Sequence, residues 1–180
     1  ELPENVLPTS EEIKTVYLVR DGRDALVSMV HQQIDIYGSK ADFRESFKEA
    51  LVAAEGSYFG GWSNNVEDWL RRTNVLIRFE DLIVEPIEQI ERIGSIYELP
   101  NKNVDKLPSF NDLKLGKPKY GRGKRLAQNE EEELDIIRKS FRRGKSFGWV
   151  DELDRELQNY YWSYHRIYRD DSFGCRAGVV

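Results

Sequence analysis

The chain has 180 residues, 39% of them hydrophobic and 12% aromatic, which suffices for one packed domain. Its 27 Lys and Arg against 32 Asp and Glu leave a net charge of −5, which argues against a general nucleic-acid or anionic-membrane binder while allowing a local basic cluster. The single cysteine, Cys175, excludes an internal disulfide and a Cys-rich zinc site, and no run approaches the ~20 apolar residues of a membrane span.

In chain order, residues 1–14 read as a lead-in with Pro3 and Pro8. Val16, Tyr17, Leu18 and Val19 form an apolar, β-branched and aromatic run that predicts a buried strand over 15–20. Asp21-Gly22 is a turn signal, and Asp24 reads as the cap of a helix reaching Tyr37-Gly38. Phe43, Phe47, Leu51 and Ala54 recur at helical spacing and predict a second helix over 41–54. Gly56, Gly60 and Gly61 mark a loop, after which Trp62, Val66 and Trp69 make a helical stripe whose tryptophans read as core packing. Asn74–Phe79 is continuous and apolar, as a central parallel strand would be. Pro86 opens a helix over 86–97 with Ile87, Ile90, Ile93 and Ile96 on one face.

Residues 98–127 read as a long polar loop, punctuated by Pro and Gly and carrying Lys114, Lys117, Lys119, Arg122, Lys124 and Arg125. Asn129 caps a predicted helix over 129–141, whose acidic first turn and basic last turn both suit the helix dipole. A last helix over 152–168 precedes a loose tail from Arg169. Strand, helices, strand and helix define an α/β chain with a parallel sheet. Two strands make a poor sheet, so this reading calls for strands beyond those the chain supplies.

Two basic positions carry the chemistry. Arg20 stands at the carboxyl end of a strand, the edge where ligands bind in open α/β sheets, and Ser28 lies in the next helix. A guanidinium, a hydroxyl and helix-start amides converging there would suit a phosphate. An ordinary strand-turn-helix with a surface Arg fits the same pattern. Arg142-Arg143-Gly144 ends the 129–141 helix, which reads either as a second phosphate contact or as a solvated basic terminus. His31 and His165 have no partner at metal-ligand spacing and read as structural or exposed, and Cys175 lacks a neighbouring His.

Three ordered segments resemble the family of sulfotransferases that use 3′-phosphoadenosine-5′-phosphosulfate (PAPS), and the resemblance extends over about residues 1–150. Tyr17–Ser28 is similar to that family's 3′-phosphate-binding segment, Y-x-x-R-[ND]-x-[RK]-D-x-x-[VA]-S. Val75–Leu82, with Pro86 just beyond, resembles its RYEDL…P segment with Phe79 in place of the tyrosine, so a hydroxyl contact near the adenine is lost. For Glu80 and Asp81 the plain reading is a helix-capping acid at a strand end. Ser140–Trp149 resembles F-x-R-[KR]-G-x-x-G-x-W, with Gly148 directly before Trp149. A fourth stretch, Gly60–Trp69, resembles G-S-W-x-x-H-V-x-x-W, with Asn65 at the histidine.

The resemblance implies a P-loop-hydrolase-like parallel sheet flanked by helices, with a sulfotransferase-like domain over 1–168 and a tail over 169–180. It implies sulfuryl transfer from PAPS, without a metal, to a hydroxyl or amine of a small-molecule or carbohydrate acceptor, in the cytoplasm. Arg20, Ser28, Arg142, Arg143 and Gly144 would hold the 3′-phosphate and Phe79 would flank the adenine. Lys145 and the basic 114–125 stretch are further candidates for the cofactor or an acidic acceptor.

No Gly-rich phosphate loop occurs in residues 1–180, and Gly144-Lys145-Ser146 lacks the earlier glycine and the preceding strand. The family's base is a His in K-[TS]-H-L-P, and Leu2-Pro3 matches the Leu-Pro pair directly after that His. The catalytic groups are therefore expected upstream of Glu1, with this chain carrying the 3′-phosphate site alone. The family's K-x-x-x-T-V-x-x-x-E dimer segment is not recognisable after Trp149. Two other readings stay open: a non-catalytic sulfotransferase-like binding module, and a P-loop nucleotide kinase relative.

Overall fold

A computed structural model describes residues 13–52, 61–97, 99, 107–115 and 127–165. Two strands, β1 (Val16–Val19) and β2 (Val75–Arg78), pair in parallel with Val16 opposite Val75 and Val19 opposite Arg78. The connection between them carries α1 (Gly22–Asp35), α2 (Phe43–Val52) and α3 (Trp62–Leu70). After β2 come α4 (Phe79–Val84), α5 (Pro86–Gly94), α6 (Phe110–Leu115), α7 (Glu130–Ser140), a 3-10 turn at Gly148–Asp151 and α8 (Arg155–Tyr164). The parallel α/β architecture read from the sequence is the one observed. Among the described residues no helix is long and apolar enough to cross a membrane.

Three expectations change. β1 is buried on one face only: Val19 is 6% exposed, whereas Val16 and Leu18 are 39% and 51% exposed, as the two-residue period of a strand requires when one face is uncovered. Phe79 does not close β2 but opens α4, immediately after the sheet. The stretch expected as one long loop contains α6, started by a reciprocal cap: Asp112 accepts from the Ser109 amide at 2.8 Å, and Ser109 Oγ accepts from the Asp112 amide at 3.1 Å. The lead-in to residue 12, Gly56, Gly60, Lys117–Arg125, Cys175 and the tail lie outside the described residues.

The main core joins α1 and α2 to residues 149–161. Leu26, Val27 and Val30 on one face of α1 pack with Phe47 and Leu51 of α2 and with Trp149, Leu153, Leu157 and Tyr161. Fully burying each such side chain contributes about 1.5–3 kcal/mol. A second cluster beneath β1 holds Val19 and Val66, with Tyr17, Trp62, Leu70 and Leu76 around them, so Trp62 packs inward as expected, while Trp69 stacks on the Tyr17 ring at the edge of this cluster. Asn129 caps α7 as its sequence position implies, accepting from the Glu132 amide at 2.9 Å.

Candidate functional site

Because β1 and β2 run parallel and in register, their carboxyl ends deliver Arg20 and Phe79 side by side. The Arg20 guanidinium carbon lies 4.6 Å from the centroid of the Phe79 ring, a cation over an aromatic face. Trp62 Nε1 donates to the Arg20 carbonyl at 3.0 Å and fixes the backbone there. Among the described residues the nearest carboxylate oxygen to the guanidinium, Asp24 Oδ2, is 4.0 Å away, and Arg20 Nε is buried with no hydrogen-bond partner.

The residues between Arg20 and Ser28 build the frame. Asp21 caps α1, its Oδ1 accepting from the Arg23 amide at 2.9 Å. The Arg23 side chain turns back on the same carboxylate, with Nε at 3.0 Å from Oδ1 and Nη2 at 2.6 Å from Oδ2. It is 2% exposed and its guanidinium carbon sits 3.8 Å from the Trp149 ring centroid. Glu80 Oε1 accepts from the Asp21 amide at 2.9 Å and so ties the two strand ends together. This replaces the helix-capping role that its sequence position suggests; the cap of α4 is Arg78, without a side-chain hydrogen bond.

Asp24, expected as the cap of α1, does different work. Its Oδ2 accepts from the Phe147 amide at 2.7 Å and its Oδ1 from the Trp149 amide at 2.8 Å, so a buried carboxylate clamps the C-terminal segment to the start of α1. Phe147 has φ of 60°, a left-handed conformation that non-glycine residues adopt rarely and that the clamp holds in place. The first turn of α1 is closed by the protein's own groups. A Cβ on Gly22 would lie 2.3 Å from Tyr161 Oη and 2.7 Å from the Trp62 ring, so only glycine fits beneath them. Helix-start amides therefore do not converge beside Ser28, which lies two turns into α1.

Ser28 instead faces a cleft of ≈ 90 Å³ between α1 and the end of α7, lined by Ser28, His31 and Gln32 on one side and Lys139, Ser140 and Arg142 on the other. Ser28 and Arg142, 114 positions apart in sequence, thus share one cleft. Arg142 Nη2 lies 2.7 Å from Glu152 Oε1, and Lys114 Nζ donates to the Arg142 carbonyl at 3.0 Å. Arg143 is not among the lining residues. It pairs with Asp151 at 3.0 Å and with Glu152 at 3.4 Å, and Lys145 reaches the same Asp151 oxygen at 3.0 Å. Gly144 makes the turn between them with φ of 61°, and a Cβ there would lie 2.1 Å from the Phe110 ring.

His31 and Glu152 join the site without having been marked as site residues by the sequence pattern. Glu152 hydrogen-bonds to His31 Nε2 while pairing with both arginines. Burial pushes its carboxyl up, but the hydrogen bonds from His31 and Arg142 and their charges outweigh that and hold it below the usual carboxylate range. A signal for His31 is present, since it lies one turn beyond Ser28 on the same helix face. For Glu152 there is none. His165, the other histidine, is buried against Tyr161 and Trp62 and shares a hydrogen bond with the Ser63 hydroxyl; burial brings its imidazole down to about 4. Among the described residues no group of His, Cys, Asp and Glu has the arrangement to hold a metal ion.

The described residues form an α/β domain with an arginine stacked at the carboxyl ends of a parallel strand pair and a helix-lined cleft that carries Lys139 and Arg142. The profile of the sulfotransferase domain matches residues 2–169, and the chain belongs to the sulfotransferase family. It is 24% identical over 165 residues to the luciferin sulfotransferase of Photinus pyralis, covering 87% of this chain and 44% of that protein. It is 25% identical over 130 residues to sulfotransferase 1B1 of Mus musculus, covering 64% of this chain and 42% of that one. The chain thus spans less than half the length of these curated relatives. Its fold matches the crystal structure of mouse sulfotransferase SULT7A1 complexed with PAP at a TM-score of 0.68 and 18% identity, over 90% of this chain and 61% of that one.

Proposed function

We propose that this chain carries the 3′-phosphate side of the PAPS site of a sulfotransferase acting on a hydroxyl or amine of a small molecule. The observation that supports this most is the meeting of Ser28 and Arg142 across one cleft. Arg20, whose buried Nε has no hydrogen-bond partner among the described residues, stands at the carboxyl end of β1. The residues present fit a phosphate. A planar guanidinium with unused donors binds two phosphate oxygens at once, and a hydroxyl supplies a third donor.

In this reading Arg20 and Arg142 take the phosphate charge and Ser28 Oγ donates to it. Arg143 and Gly144 shape the loop that delivers Arg142, with the Gly144 amide as a further donor. Phe79 holds the Arg20 guanidinium level and offers its ring to the adenine side. PAPS, when bound, supplies the sulfuryl group; the residues of this chain bind and orient it through the one phosphate that ATP and 5′-AMP lack. The relatives fit this assignment, since one is named for transfer to luciferin and the fold match was solved with PAP, the adenosine 3′,5′-bisphosphate that remains after transfer.

Calorimetric titration with adenosine 3′,5′-bisphosphate, 5′-AMP and ATP tests the reading. The bisphosphate should bind best. Arg20→Ala should weaken it about 10- to 100-fold, the loss of one or two charge-assisted hydrogen bonds, and leave 5′-AMP nearly unchanged. A folded chain that prefers ATP, or binds none of the three, would overturn it.

A further inference from the structure

The cleft already has an anion of its own beside it. Glu152 is largely enclosed, its side chain 11% exposed, and one carboxylate serves three partners: Arg142 Nη2 at 2.7 Å, Arg143 Nη2 at 3.4 Å and His31 Nε2. Two of those partners, Arg142 and His31, line the cleft, whereas Glu152 sits behind them. The positive charge that Arg142 spends on Glu152 is charge not offered to an anion in the cleft. Asp151, the neighbouring acid, is 54% exposed and holds Arg143 and Lys145, neither of which lines the cleft.

We propose that Glu152 is a resident competitor for the phosphate: it holds Arg142 in place but must yield part of that guanidinium to a bound ligand, and so it weakens binding and speeds release. The proposal rests on the reading that the cleft takes a 3′-phosphate. Its physical basis is the asymmetry of partly buried ion pairs. Removing one charge leaves the other uncompensated, which destabilises the folded chain until another anion takes the vacated place. A dianionic phosphate would do so. Neutralising Glu152 should therefore move stability and affinity in opposite directions. A carboxylate that merely held the fold together would, when removed, lower both.

The test compares the 180-residue chain with Glu152→Gln and Asp151→Asn. Thermal denaturation without nucleotide is measured first, then titration with adenosine 3′,5′-bisphosphate and with 5′-AMP. Glu152→Gln should melt lower than wild type, yet bind the bisphosphate roughly five- to tenfold tighter, with the change mostly in a slower dissociation rate. Binding of 5′-AMP should not change, and Asp151→Asn should shift bisphosphate affinity less than about twofold.

Equal or weaker bisphosphate binding by folded Glu152→Gln, with wild type still preferring the bisphosphate to 5′-AMP, overturns the competitor role and leaves the phosphate site standing. A wild-type chain without that preference overturns both. Should Glu152→Gln fail to fold, Glu152→Asp keeps the charge but draws it back by one methylene. Tighter bisphosphate binding by that variant supports the proposal, and unchanged or weaker binding overturns it.

Discussion

The strand side of the molecule and the cleft between α1 and α7 hold their arginines in opposite ways. On the strand side, Arg20 lies over the Phe79 ring with the nearest carboxylate oxygen among the described residues 4.0 Å away. In the cleft, Arg142 has a carboxylate at 2.7 Å. The strand side is not poor in acids, for Asp21, Asp24 and Glu80 all lie there. Asp21 is held by Arg23, Asp24 by the amides of Phe147 and Trp149, and Glu80 by the Asp21 amide. Arg20 and Arg23 stand three positions apart in one motif, yet the Nε of one has no partner among the described residues and the other is enclosed. What a basic residue can do for a ligand is decided by which neighbouring acids are already engaged.

The comparison breaks most severely at Asp24, which stands between the two sides. Asp24→Ala would orphan two amides and release the C-terminal segment from α1, at a stability loss of about 3–5 kcal/mol in chemical denaturation. A loss under about 1 kcal/mol would mean that the two sides stand independently. A pH titration of stability probes the strand side through His165, which packs edge-on against the Trp62 that anchors the Arg20 carbonyl. With its folded value near 4 and an ordinary unfolded value near 6.5, neutral His165 contributes fully above pH 6.5, and that contribution fades as pH falls toward 4. Stability should drop by about 2 kcal/mol between roughly pH 7 and pH 5 on this account. His165→Phe should flatten that part of the profile, and an unchanged slope would remove His165 from the explanation.

A smaller effect sharpens the contrast. Phe79→Leu takes away the ring under Arg20 and should weaken bisphosphate binding several-fold, about 0.5–1 kcal/mol, with little change in stability. The smallest effect is expected at Arg44, which links α2 to Asp154 and Glu156 across an exposed surface. Hydrogen bonding to Asp154 raises its already high value further, but the site is solvent-screened. Arg44→Ala should shift neither the denaturation midpoint nor the affinity by a measurable amount.

Local signals carried much of this architecture. The β2 run, Asn129 before its acidic turn and the Trp62–Trp69 stripe each sit where spacing and capping place them. Ser109 and Asp112 also carried a cap signal, but the prolines and glycines around them read as loop. The motif likeness picked out Ser28 and Arg142, which line one cleft, and Arg20, which does not line it. It could not show that Asp24 faces the far end of the chain, because the identity of its partners depends on tertiary closure rather than on any local pattern. The same holds for Glu152 and His31, 121 positions apart, whose pairing no periodicity encodes.

That distance also has a consequence in time. The amides that Asp24 receives belong to residues 123 and 125 positions later in the chain. At a synthesis rate of about 5–20 residues per second, α1 exists for roughly 6–25 seconds before its clamp leaves the ribosome. During that interval β1, the turn and the first helix can form locally, while Asp24 and Arg23 remain hydrated. Closing so long a loop is slow and entropically costly, so the clamp belongs among the last contacts to form. The nascent domain therefore acquires its closed geometry late, at the step that joins α1 to residues 147–149.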